Sequence, residues 1–567
     1  MNKDQIRAIL ISDFNLDNFA GYLKNDSHSP KIDSSIAPFG QVKQVLMNEN
    51  MECWETLHDL AIVWTQPEGV IDSFRKALDF NQVPIEQTLE EVDDYCEALS
   101  KLLVRVNTLL IPTWTLSAGF TGYGLLERKP GIGLTDLLAR MNLRLAENLK
   151  DFSNVFVLNA GRWIQSAGKE AFNPKLWYMG KIPFGNQVFK EAVSDIKSTL
   201  TSILGGAKKL ILVDLDDTLW GGTVGEDGWK SLKLGGHDPI GEAFSDFQKS
   251  LKSLTRRGIL LGIISKNEET VALDAIEKNP EMILKREDFV GWRINWTDKA
   301  QNILDLTNEL NLGVQSTVFI DDNPMERARV KEALPDVLVP DWPKDKMFYK
   351  DCLMSLNCFN TPVISLEDGQ RTKMYGIESK RKKLKEKLGS LEKWLKTLET
   401  KVVIEEINPA NLQRSSQLFN KTNQMNLSTR RLTEEELMDW GKEKNRRIWT
   451  FRVSDKFGDS GLTGLLSVEC NGTQMLIIDF VLSCRVMGRK IEELMLHTAY
   501  EYGRSLNLKT LSANYLKTKK NNPCLTFLKQ SGLEHNEKTD TFKWNLETPY
   551  PQPECITVSN GDSQTLN

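Results

Sequence analysis

Short, unbroken apolar runs separated by longer amphipathic stretches set the pattern of this chain. Between residues 206 and 340 four such runs, Leu210–Val213, Ile259–Ile264, Phe289–Trp292 and Thr317–Ile320, alternate with helical patterns. Runs of this length without polar alternation are buried on both faces, which predicts a parallel sheet covered by helices. Residues 1–205 repeat the style in AILIS, AIVWT, TLLIPTW and NVFVLNA, a further α/β domain. Residues 366–401 read as a charged helical connector broken near Gly389. Residues 402–547 form a third α/β unit, in which LIIDFVLS precedes a helix from about Arg489 to Arg504. The stretch 548–567 is polar and punctuated by proline, and is expected to be a disordered tail.

Composition narrows the class. The chain has 567 residues, 40% hydrophobic and 26% charged, which fits a soluble globular protein of roughly three or four domains. A formal net charge of −5 argues against nucleic-acid binding over the whole surface. Eight cysteines without a CxxC pair suggest neither a disulfide scaffold nor a structural zinc site, so a reducing compartment is expected. The apolar run Ala8–Ile11 is too short for a signal peptide, and no stretch approaches the ~18 residues of a membrane span. The expectation is a cytoplasmic protein that engages neither nucleic acid nor membrane.

The strongest chemical signal is LILVDLDDTLWGG. Asp214 and Asp216 lie two apart at the end of a strand, so both can face one site. Paired carboxylates repel unless a cation sits between them, and hard oxygen ligands suit Mg²⁺. Asp214 would attack phosphorus, with Asp216 as the acid and base. An Asp-rich turn after a strand is the bland alternative. Three partners follow in order: Ser265 ending a second apolar strand, Lys299 opening a helix, and Asp321-Asp322 ending another strand. Ser265, Lys299 and Thr218 are the expected phosphate ligands, and Asp214, Asp216, Asp321 and Asp322 the expected metal ligands. Carboxyl ends of parallel strands are where such sheets bind ligands.

Together these elements resemble the haloacid-dehalogenase (HAD) superfamily. The gaps from Thr218 to Ser265 and from Ser265 to Lys299 leave no room for a large cap domain. The full motif LVDLDDTLWGGTVGEDG, with INWTDKAQNI, FIDDNPMERARV, FNKTNQMNLSTRR and VLSCRVMGRK, is similar to the FkbH-like family, a capless branch acting in polyketide pathways. That resemblance spans roughly residues 205–535. It implies a bifunctional transferase and phosphatase that takes 1,3-bisphosphoglycerate and loads a glyceryl or lactyl-type group onto the phosphopantetheine thiol of an acyl carrier protein.

The C-terminal unit resembles the GNAT N-acetyltransferases. Cys484–Lys490 stands where those enzymes bind the pyrophosphate of coenzyme A on helix N-terminal amides. Lys490 replaces a small residue there, so acetyl-CoA is not expected as a ligand. Cys484, beside Arg485 at a strand-to-helix junction, is the expected acyl carrier; a buried cysteine ending a strand is the alternative. Asn423, Gln424, Asn426, Thr429, Arg430 and Arg431 are dense enough in amides and guanidinium groups to bind a hydroxyacyl phosphate, or simply to form a solvated loop. The N-terminal domain resembles the SGNH hydrolases, but Phe14 stands where ISDFN would need its serine, which implies a non-catalytic role. The basic run Ser379–Lys387 is a solvated helix face or a surface that steers an acidic carrier. Two rival functions remain: a phosphatase of small molecules or proteins, and a non-catalytic carrier-protein assembly factor.

Overall fold

The computed structural model describes residues 5–117, 119–361, 372, 381, 384, 389–422, 424–518 and 520–560. They separate into two compact units, Met1–Leu204 and Gly205–Asn567. The first is built on β1 (Gln5–Ile11), β2 (Lys31–Ile36), β3 (Leu60–Val63), β4 (Thr108–Pro112) and β5 (Val155–Leu158). These pair in the order β2-β1-β3-β4-β5, all parallel. β3 and β4 are buried at every position, as strands between two helical layers must be. Ser12 accepts the Phe14 amide at 3.0 Å, and Phe14 packs edge-on against Trp64 and Phe184. Phe14 is thus a core aromatic of this unit.

The second unit opens with β6 (Leu210–Val213), β7 (Leu260–Ser265), β8 (Gly291–Ile294) and β9 (Thr317–Ile320), parallel in the order β8-β7-β6-β9. β6 and β9 coincide with their apolar runs. β8 starts two residues late, because Phe289 and Val290 are spent on core packing before the strand begins. The helix Pro239–Arg256 buries Phe244, Phe247, Leu251 and Leu254, and its N-terminus is capped by Asp238 onto the Gly241 amide.

A larger mixed sheet follows: β10 (Thr400–Glu406), β11 (Met425–Asn426), β12 (Arg446–Asp455), β13 (Gly458–Asn471), β14 (Gln474–Leu482), β15 (Thr510–Asn514), β16 (Glu534–Asn536), β17 (Thr541–Asn545) and β18 (Ile556–Asn560). Its order is β16-β17-β15-β14-β13-β12-β10-β18, with β11 paired to β14. The helix after β14 runs over Ile491–Ser505.

One expectation needs correction. Part of the tail expected to be disordered is ordered: β18 pairs in parallel with β10, Ile556 against Thr400, and so covers what would be an open sheet edge. The end of the helical connector, Leu391–Leu398, buries Trp394, Leu395 and Leu398. Most of 366–388, including Ser379 and Lys380 of the basic run, lies outside the described residues. Among the described residues no helix is long and apolar enough to cross a membrane.

Candidate functional site

The site grows from the carboxyl ends of β6, β7 and β9. Asp214 leaves β6 directly and is 7% exposed; its amide donates to Ile320 of β9 at 3.0 Å, which ties the two strand ends together. Asp298 accepts the amides of Ala300 and Gln301, starting the helix Lys299–Glu309 and seating Lys299 with 3% exposure. From there the Lys299 ammonium lies 3.1 Å from Asp214 Oδ2 and 2.6 Å from Asp321 Oδ2. Burial would lower the lysine's pKa, but the two carboxylates outweigh it and hold it above its ordinary value. Burial, and then the Asp214 charge, push the Asp321 carboxyl up.

Asp214 Oδ1 is buried and has no hydrogen-bond partner. Ligand oxygens from Asp214, Asp321 and Asp322 all lie within 4.8 Å of one another. Three hard oxygens around an unpaired buried acceptor fit a divalent cation.

The Asp216 carboxylate, expected to be a metal ligand, carries hydrogen bonds of its own. Its Oδ1 accepts from Trp220 Nε1 at 2.9 Å and the Val224 amide at 3.0 Å, and its Oδ2 from Asn267 Nδ2 at 2.8 Å. The turn after β6 continues through Asp217, which is held at φ +52°. Ser265, 1% exposed, ends β7 with Asn267 Nδ2 at 3.5 Å from its hydroxyl. Thr218 is fully buried and exchanges hydrogen bonds with Asp322, accepting its amide at 3.1 Å. These bonds tie Thr218, expected as a phosphate ligand, to the Asp322 backbone and carboxylate.

Sequence reasoning missed Lys346. Its ammonium donates to the Asp217 carbonyl at 3.0 Å and lies 3.7 Å from Asp322 Oδ2. It also missed Arg327, which donates to the carbonyls of Asp321 and Asp322, both at 2.7 Å. No spacing pattern points to either; the Asn323-capped turn after β9 and the later helical turn at 346 bring them in.

In the larger sheet, the residues expected to bind a hydroxyacyl phosphate are held by the fold itself. Asn426 is fully buried, donating to the Thr422 carbonyl and accepting the Thr429 amide. Arg430 clamps the buried Asp479, which also accepts from Ser428 and Ser467 at 2.5 Å. Arg431 donates to the carbonyls of Phe419 and Thr422, and burial pulls its guanidinium down to about 10. Gln424 is half-buried, and Asn423 lies outside the described residues.

Cys484 is half-buried in a short helical turn, Cys484–Val486, and Arg485 Nε donates to Ser483 Oγ at 3.2 Å. The Gly488 amide donates to the buried Glu492 carboxyl at 2.7 Å. Leu427 is wedged beyond β11, its amide on the Phe480 carbonyl and its carbonyl on the Leu516 amide, filling the gap where β14 outruns β15. The Lys490 ammonium pairs with Glu493 at 2.5 Å.

No family model and no curated protein matches the chain. Among solved structures it is similar to the N-terminal part of protein BF1531 from Bacteroides fragilis, which contains a phosphatase domain complexed with Mg. The TM-score is 0.58 and the identity 28%, covering 64% of this chain and 96% of that one. The ribosomal-protein-S18-alanine N-acetyltransferase of Escherichia coli matches at a TM-score of 0.20 and 5% identity over 26% of this chain and 94% of its own. Spermidine N-acetyltransferase of Vibrio cholerae matches at 0.21 and 15% over 26% and 96%.

Proposed function

We propose that the protein is a Mg²⁺-dependent phosphatase of the HAD type, and that it acts in the FkbH-like manner, freeing a glyceryl or related hydroxyacyl group of phosphate for an acyl carrier protein. The observation that carries the phosphatase reading is the unpartnered Asp214 Oδ1 beside Lys299, Asp321 and Asp322. Asp214, Asp321 and Asp322 would hold the cation, which offsets charge on the phosphoryl group when bound. One Asp214 carboxylate oxygen would form a bond to phosphorus as the ester oxygen leaves with a proton from Asp216, the other remaining for the cation. Water then attacks the aspartyl-phosphate, returns a proton to Asp216 and releases inorganic phosphate. Lys299, Ser265 and Asn267 stand ready to bind phosphoryl oxygens. The neighbour's bound Mg supports the choice of metal.

The acyl step rests on the family resemblance and on Cys484. A plain phosphatase, with the larger sheet only shaping the site, is the second reading. It is favoured by the internal engagement of Asn426, Arg430 and Arg431. Intact-protein mass spectrometry after incubation with 1,3-bisphosphoglycerate and Mg²⁺, with and without a phosphopantetheinylated carrier, separates the two. A loaded carrier supports the first; phosphate release with no thioester supports the second. No Mg²⁺-dependent phosphate release on any ester removes both.

A further inference from the structure

An ion pair bridges the strand ends that carry the phosphate site. The Lys266 ammonium lies 2.6 Å from Glu326 Oε1. Lys266 directly follows Ser265, the last residue of β7, and Glu326 stands in the first turn of the helix Pro324–Ala333, which follows β9. β7 and β9 flank β6 on either side, so their ends are about 10 Å apart at the usual strand spacing. The pair therefore reaches across the end of β6, from which Asp214 emerges.

Both ends of this bridge are fastened to the site by direct hydrogen bonds. Next to Lys266, the buried Asn267 donates its side-chain amide to Asp216 Oδ2 at 2.8 Å. Next to Glu326, Arg327 donates to the carbonyls of Asp321 and Asp322, both at 2.7 Å. Asn323 fixes the same turn, its amide donating to Asp321 Oδ1 and its side chain accepting the Met325 amide, both at 2.9 Å. The ammonium and the carboxylate are thus carried on chain that grips Asp216 on one side of Asp214 and Asp321 and Asp322 on the other.

The Lys266 side chain keeps 37% of its surface in solvent and that of Glu326 18%. An ion pair this accessible contributes little to stability. It does offer a donor and an acceptor side by side, within reach of whatever the phosphate is attached to. Charge and hydrogen bonding then select the group that meets it. A second anion on the substrate would take Lys266 and leave the Glu326 carboxylate unpaired in a site already rich in carboxylates. An alkyl chain would satisfy neither partner. A hydroxyl satisfies both, because it donates to a carboxylate and accepts from an ammonium. Resting on the phosphatase reading above, we infer that Lys266 and Glu326 together recognise a hydroxyl on the carbon next to the phosphate ester. The substrate class is then the phosphate ester of a short alcohol with a neighbouring hydroxyl, as a glyceryl group carries, and these two side chains set that specificity.

The test compares kcat/KM of the full-length protein with Mg²⁺ on sn-glycerol 3-phosphate and on n-propyl phosphate, which share a carbon skeleton and a charge. Glycerol 3-phosphate is expected to be preferred by about tenfold or more. The ratio is taken within one preparation, so a fraction of inactive protein cancels. In Lys266→Met and in Glu326→Ala the ratio falls toward one. Lys278→Met, which removes an exposed pair with Asp274 at the far end of the helix Glu269–Lys278, leaves it as in the wild type. A wild-type ratio near one, or a ratio that survives both site variants, overturns the inference while leaving the phosphatase reading standing. A preference for 3-phosphooxypropionate, which carries a carboxylate and no hydroxyl, over glycerol 3-phosphate would mean that Lys266 takes an anion, and also overturns it. No hydrolysis of any of these esters removes the phosphatase reading itself, and this inference with it.

Discussion

Asp214 and Asp216 show how much two residues at one strand end can differ. Asp214→Asn keeps shape but removes the attacking charge, so phosphate release is expected to fall at least about 1,000-fold. Asp321→Asn and Asp216→Asn should then part company. Asp321 belongs to the oxygen cluster and Asp216 does not, so calorimetry should show Mg²⁺ binding weakened about 10- to 100-fold by the first and little changed by the second. Equal loss in both would return Asp216 to the metal site. Glu492 supports a pH prediction. Burial pushes its carboxyl up to about 7 from an ordinary 4.5, and its Oε2 has no partner. The folded state therefore keeps a proton that the unfolded state releases. This contribution is fully present below about pH 4.5 and is lost as pH rises through about 7, a change on the order of 3 kcal/mol. Glu492→Gln keeps an acceptor for Gly488 without the charge. It should unfold at higher urea than wild type at pH 8, with the two converging at pH 5; coincident curves at pH 8 would refute the assignment.

At the scale of elements, Asp298 joins stability to chemistry. It caps the helix that aims Lys299 and also pairs with Arg329, so Asp298→Ala should cost about 1–2 kcal/mol in urea unfolding and lower phosphate release together. Loss of stability with unchanged turnover would show that Lys299 needs no aiming. Deleting residues 556–567 uncovers the edge of β10, so the shortened chain should melt lower and self-associate in sedimentation. The four strands of the central sheet were legible because each is a short apolar run buried on both faces. β2 and β18 were not. β2, KIDSSI, exposes four of its six residues wholly or largely, as an edge strand can, and carries no apolar run. β18 follows a proline-rich stretch and is a strand only because β10 offers it a partner. The site divides in the same way. Asp214, Ser265, Lys299, Asp321 and Asp322 stand at strand and helix ends that sequence can locate. Lys346 and Arg327 arrive through turns, and the Asn426–Arg431 loop reads as polar surface although its side chains are consumed by buried carbonyls and Asp479.

At the scale of the whole molecule, acyl capture at Cys484 and dephosphorylation at Asp214 are chemically separable events. An acyl phosphate is a mixed anhydride, so a thiolate can form a C–S bond and expel phosphate without Asp214. The phosphate ester at the other end of the glyceryl chain still needs Asp214 and the cation. Asp214→Asn should accordingly accumulate a phosphoglyceryl adduct that maps by peptide mass to Cys484. Cys484→Ala should form no adduct and load no carrier, yet still hydrolyse a simple phosphate ester with Mg²⁺. An adduct that survives Cys484→Ala, or maps to another of the eight cysteines, would take Cys484 out of the mechanism and leave the plain phosphatase as the better account.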